Sequence, residues 1–213
     1  MLTKAIFSTA YLPPIEYISA LIKFPSVEIE QWENFQKQTI RNRCHILGAN
    51  GIQTLHIPVL HEKKIKIFTK DLKICYGEPW QRVHWIALES AYNKSPFFEY
   101  YKDDFRKIIF SNKTFVLDLN TELLELILRI PGIEMKINFT GTFEKNYSEN
   151  DFRFLSDFKT SLNAKPEIQK NTYPQVFSYK FGFTPGLSIV DLIFNEGRES
   201  MDYLLKSDYN SSH

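Results

Sequence analysis

The sequence predicts a mixed α/β fold: an N-terminal sheet with a β-hairpin, covered by a layer of helices from the middle and C-terminal parts. Three observations carry this expectation. Ala5 to Tyr11 is a largely apolar run closed by Pro13-Pro14, the pattern of a strand that turns into a helix. Gly48-Ala49-Asn50-Gly51 separates two short runs, Arg43 to Leu47 and Ile52 to Leu60, and marks a hairpin. Three amphipathic stretches then lie between Trp80 and Arg129, each with apolar residues at helical spacing.

Along the chain, Pro13-Pro14 opens a helix in which Ile15, Ile18, Leu21 and Ile22 share a face, and Val27 to Glu30 is a short strand. Lys64 to Tyr76 alternates Ile65, Ile67, Leu72 and Ile74 with polar residues, which predicts a half-buried strand with a turn at Thr69-Lys70-Asp71. Gly77-Glu78-Pro79 ends it. Helices follow over Trp80 to Tyr92, Pro96 to Phe110 and Asn120 to Arg129, the last with Asn120 as its N-cap. Glu134 to Thr140 reads as a strand, and Gly141 to Pro174 as a long irregular excursion. Ser188 caps a further helix, with Asp191 in the place of a capping-box carboxylate and Asn195-Glu196-Gly197 as its stop. Glu199 to Leu205 is a last short helix. Residues 1–206 are expected to form one domain, and 207–213 a disordered tail.

The chain has 213 residues, 43% hydrophobic and 24% charged, which is ordinary for a soluble globular protein. A net charge of +1 gives no global attraction to nucleic acid or to an anionic membrane. Eighteen Phe and eleven Tyr point to an aromatic-rich core. Cys44 and Cys75 are too few for a disulfide framework and read as reduced thiols in a cytoplasmic chain. The N-terminal segment, broken by Ser8, Thr9, Pro13 and Pro14, does not read as a signal peptide, and no apolar run is long enough to span a membrane. The five His and two Cys show no metal-ligand spacing.

Gln31 to His45 is rich in polar side chains and ends in Arg41-Asn42-Arg43-Cys44-His45. Two guanidiniums around an amide suit a phosphate or carboxylate, so this stretch is expected to form the lip of an anion site. The plain alternative is a loop whose arginines pair with Glu28, Glu30 and Glu33. His84, four residues from both Trp80 and Leu88, falls on the face its helix should bury, and is the best single candidate for proton transfer. The alternative is a core histidine bonded to a carbonyl.

Taken together, four stretches resemble the WbqC-like family of bacterial proteins. They are Tyr11-Leu12-Pro13-Pro14-Ile15-Glu16-Tyr17; Glu33 to Thr39 running into Arg41-Asn42-Arg43; Trp80 to His84 with Tyr92-Asn93-Lys94-Ser95-Pro96-Phe97-Phe98; and Gly186 to Leu192 with Phe194-Asn195-Glu196-Gly197. They span almost the whole chain, and the wording RNRCHILGANG is similar to the Bacteroidetes branch. The matching positions are Tyr11, Pro14, Asn42, Arg43, His84, Asp191 and Asn195. The chain departs from the broader pattern in having Thr9-Ala10 where Gln-Pro precedes the first aromatic. The resemblance implies a setting, bacterial surface-polysaccharide assembly of the O-antigen type, and no particular reaction.

Two functions follow as expectations. In the first, the protein is a sugar, acyl or aminoacyl transferase in which His84 is the general base and Tyr11, Arg41, Asn42, Arg43 and Asn195 hold an anionic small molecule. In the second it is a non-catalytic protein that grips a phosphorylated or carboxylated ligand, or a protein partner, through Arg41-Asn42-Arg43.

Overall fold

The computed structural model describes residues 5–60, 66–145, 150–157 and 172–206. It is a mixed α/β structure with a three-stranded parallel sheet and a separate antiparallel hairpin. The sheet order is β1 (Ala5–Ser8), β2 (Ser26–Glu30), β5 (Lys136–Phe139). Strand β1 is buried along its length, which explains why Ala5-Ile6-Phe7 is apolar without alternation, as strands of parallel sheets commonly are. The first strand is shorter than the apolar run: it ends at Ser8, because the Tyr11 N–H donates to Ile40 O at 2.8 Å and Leu12 adopts φ 42°, turning the chain toward α1 (Ile15–Leu21). Residues 150–152 lie along β1, with Ile6 N–H donating to Asn150 O and Phe152 N–H to Ile6 O.

The hairpin pairs β3 (Arg43–Gly48) with β4 (Gly51–His56) around Ala49-Asn50. Gly51 takes φ 106°, a left-handed value that glycine reaches without a Cβ penalty. β4 stops at His56 rather than Leu60, because Val59 bridges to Ile74 instead of β3. The predicted strand over Lys64 to Tyr76 is corrected: Lys64 and Ile65 lie outside the described residues, and 66–76 forms isolated bridges around a 3-10 turn, Thr69–Asp71, where a turn was expected. The Thr69 N–H goes to Glu33 O and the Lys70 N–H to Gln31 O, so this backbone is satisfied without a ladder.

The middle helices are α2 (Trp80–Tyr92), α3 (Phe98–Ile109) and α4 (Val116–Arg129). α4 begins after Phe115, five residues before the expected cap. Asn120 is inside it and buried, donating through Nδ2 to Arg41 O at 2.8 Å and to Thr9 Oγ1 at 3.1 Å. After β5 come a 3-10 turn, Arg153–Ser156, the short α5 (Ser178–Phe181), α6 (Ile189–Glu196), a 3-10 turn over Gly197–Glu199, and α7 (Ser200–Lys206). Much of the Gly141 to Pro174 excursion, and the tail 207–213, lie outside the described residues.

α6 is buried almost throughout and touches α1, α3, α4 and α7. Phe194 on this helix meets Tyr92, Phe98 and Phe105 at ring-centroid distances of 5.3, 5.0 and 5.3 Å. That cluster joins α2, α3 and α6, and fixes where α2 presents His84 to the hairpin. Ser188 caps α6 by accepting from Val190 N–H, as its position predicts. Asp191 does not complete a capping box: the Ser188 N–H that its carboxylate would take donates to His45 O at 2.8 Å.

Candidate functional site

Residues opposite one another in an antiparallel pair share a face, and neighbours along a strand alternate. Arg43 faces His56 across the hairpin and His45 faces Thr54, so these four side chains lie on one side of the ribbon. Cys44, Ile46 and Leu55 lie on the other side, in the core. His45 Nδ1 and Thr54 Oγ1 are 3.1 Å apart. Burial, reinforced by the Arg43 charge, pushes the His45 imidazole down to about 4. The same two causes lower His56, against an upward pull from Glu78. Arg43 Nε is itself buried and has no hydrogen-bond partner. The outer face of the hairpin base thus carries one fixed positive charge and two imidazoles held neutral beside it.

On the core side, His84 is 3% exposed and uses both ring nitrogens. Nδ1 is 2.9 Å from the Tyr11 hydroxyl. Nε2 is 3.2 Å from His56 O and 3.1 Å from His56 N. A neutral ring has one donor and one acceptor. If Nε2–H donates to His56 O, Nδ1 accepts the Tyr11 O–H; in the other tautomer Nε2 accepts the His56 N–H and Nδ1–H donates to the phenol oxygen. Both arrangements are complete. Burial, the main cause, holds the imidazole at about 4, while the His56 backbone bond pulls it upward. Burial also raises the Tyr11 phenol well above its ordinary value.

The expected lip is mostly interior at its charged end. Arg41 is 1% exposed, and its Nε and Nη2 clasp Glu33 at 2.9 and 2.6 Å. Its remaining bonds go to Ser156 Oγ at 3.1 Å and Ser8 Oγ at 2.9 Å. This is the bidentate geometry that makes arginine suited to carboxylates, filled here by the protein's own Glu33. Asn42 is buried as well: Nδ2 donates to Ile57 O and the Ile57 N–H to Asn42 O, both at 2.9 Å, which pins the hairpin base. The structure therefore brings Tyr11, Asn42, Arg43 and His84 together at that base and places the Arg41 fork against Glu33.

Asn195 and Asp191 belong to a second cluster. Asn195 Nδ2 donates to Asp191 O at 2.7 Å. The Asp191 carboxylate accepts from the Tyr173 hydroxyl at 2.5 Å and from Gln175 Nε2 at 3.0 Å, and Tyr92 lies beside it. Burial lifts this carboxyl to about 6 in spite of those donors. Glu16, in the first turn of α1, is another buried carboxylate. It rises to about 7 through burial, against its own N–H and that of Gly186, and its Oε2 has no partner. Sequence reasoning missed Tyr173, Gln175 and Glu16. The first two sit in an irregular run, and the only trace of Glu16 is one acidic residue on an otherwise apolar helix face.

Among the described residues no group of three or more His, Cys, Asp or Glu is placed to hold a metal ion, and no helix is long and apolar enough to cross a membrane. Fold and site together define a mixed α/β protein with a parallel sheet, whose polar side chains gather at the base of a β-hairpin. The chain belongs to the WbqC-like protein family, whose model matches residues 9–166 and 144–203. It is similar to the uncharacterised protein Rv1507c of Mycobacterium tuberculosis, at 24% identity over 223 aligned positions covering 94% of this chain and 96% of the relative. No solved structure matches it.

Proposed function

We propose that the protein binds a phosphorylated or carboxylated ligand on the outer face of the hairpin base, with Arg43 as its main contact and His45 and His56 beside it. The observation that carries this reading is the buried, unpartnered Nε of Arg43. A buried donor without an acceptor is costly, and a charged ligand oxygen would relieve that cost. Asn42, Tyr11 and His84 then position the hairpin rather than touch the ligand, and Arg41 has its carboxylate already. The resemblance to the WbqC-like family supports a place in bacterial surface-polysaccharide assembly of the O-antigen type. The free thiols of Cys44 and Cys75 support a cytoplasmic setting.

Inorganic phosphate is the first probe. An anion on this face opposes the Arg43 charge, so phosphate should raise the His56 and His45 titrations read by NMR. Arg43→Ala should weaken phosphate binding by about 1.5–3 kcal/mol, the worth of a charged hydrogen bond. An affinity unchanged by that substitution would remove the face from the site.

A second reading, a sugar or acyl transferase with His84 as general base, draws support from a ring held neutral at physiological pH and bonded to a phenol. It requires Nδ1 to exchange the Tyr11 hydroxyl for that of an acceptor. Under it His84→Gln abolishes turnover and leaves phosphate affinity intact; turnover that survives the substitution eliminates His84 as the base.

A further inference from the structure

A cleft of about 620 Å³ is lined by Leu60, Lys73, Tyr76, Gln81, Asn112 and Thr114, among others. We propose that it is a saccharide site, one that takes a neutral polyhydroxylated ring. It uses different residues from the anion face, and either reading can fail without the other.

Three features define what fits. Tyr76 is 41% exposed, and its hydroxyl donates to Lys113 O at 2.8 Å, so the ring is an accessible plate tied down at its far end. Its centroid is 6.1 Å from Trp80, which is buried and itself 5.1 Å from His84. The plate therefore rests on a fixed support. The apolar C–H face of a pyranose packs on such a ring as other flat apolar surfaces do.

The second feature is a pair of planar amides. Gln81 Nε2 donates to Ile109 O at 2.9 Å and to Asn112 Oδ1 at 3.1 Å. Both Gln81 N–H groups are thereby used, so what the pair still offers is the Gln81 oxygen as acceptor and the Asn112 amide as donor. Asn112 holds φ 53°, an unusual backbone value, and its bond to Gln81 keeps the amide in place. A sugar hydroxyl is at once donor and acceptor, and a mixed pair of this kind satisfies it.

Third, the two charges in the lining, Lys73 and Glu78, have opposite sign. Their sum gives no preference for an anion or a cation, and each supplies one strong donor or acceptor to a hydroxyl.

The test titrates the full chain with methyl β-D-glucopyranoside, methyl α-D-galactopyranoside and N-acetylglucosamine, reading the Gln81 and Asn112 side-chain amides by NMR. Glycine serves as the zwitterionic control for the Lys73 and Glu78 pair. At least one glycoside should bind saturably and move both amides. Tyr76→Ala should weaken it by about tenfold or more, the usual consequence of losing a stacking ring, whereas Tyr76→Phe keeps the plate and most of the affinity. Melting temperatures of both variants separate lost binding from lost folding. Three results would each overturn the proposal: no glycoside moves these amides, glycine binds in preference to every glycoside, or a folded Tyr76→Ala protein binds as the parent does.

Discussion

Arg41 and Arg43 stand two residues apart and carry the same chemistry, yet the fold gives them opposite situations. Arg41 is enclosed with its own carboxylate, Glu33, and two serine hydroxyls. Arg43, at the start of β3, faces His56 and has a buried nitrogen without a partner. The carboxylates divide in the same way: Glu33 is matched by a guanidinium, while Glu16 keeps a buried oxygen with no hydrogen-bond partner among the described residues. A buried charge with its counter-ion reports on architecture, and one without is available to a ligand or a proton.

The largest effect should come from breaking the matched pair. Arg41→Ala strands the Glu33 carboxylate in a closed environment and should cost about 3–5 kcal/mol of stability in urea unfolding. Replacing both partners with apolar residues of similar size should recover a large part of that loss. A single substitution costing less than about 1 kcal/mol would mean that the pair is effectively solvated.

Glu16 sharpens the other side of the comparison. Its carboxyl sits at about 7 when folded against an ordinary value of 4.5, so burial penalises the charged form. The folded protein therefore binds this proton more tightly than the unfolded chain does. The associated stability is fully present below pH 4.5 and is lost as pH rises through 7. Glu16→Gln, neutral at every pH, should be more stable than the parent at pH 8, by up to roughly 3 kcal/mol. The advantage should fade to nothing near pH 4.5. Equal pH profiles for the two proteins would show that the carboxylate has a charge partner or water in solution.

The smallest effect belongs to Arg43. Since its Nε satisfies nothing in the fold, Arg43→Ala should change stability by less than about 1 kcal/mol while weakening phosphate. A loss comparable to that of Arg41→Ala would assign Arg43 to the architecture as well, and the contrast between the two would collapse.

Much of this fold is legible from local pattern. The opening strand, the hairpin and the amphipathic helices follow from periodicity and turn chemistry, because each buries one face or satisfies its backbone within a few residues. The segment 66–76 departs from the strand its pattern predicts, because its Ile and Leu alternation serves bridges to distant chain and not a ladder of its own. Asn120 reads locally as a cap because its residue type favours helix starts, and nothing local shows that Arg41 O and Thr9 Oγ1 accept from its amide.

The candidate site divides along the same line. That Arg43 lies on a hairpin strand follows from the Gly48 to Gly51 turn signal and His84 on a buried face from helical spacing, whereas the Arg43–His56 register is read from the structure. By itself the sequence determined which residues can carry charge, protons and aromatic surface, and which elements bear them. Only the tertiary structure decided that Glu33 fills the Arg41 fork, that Tyr11 and the His56 backbone occupy His84, and that Tyr173 meets Asp191 across 18 residues. Hydrogen bonds and ion pairs depend on distances of about 3 Å between groups far apart in the chain, and such distances are set by packing and leave no periodic trace in the sequence.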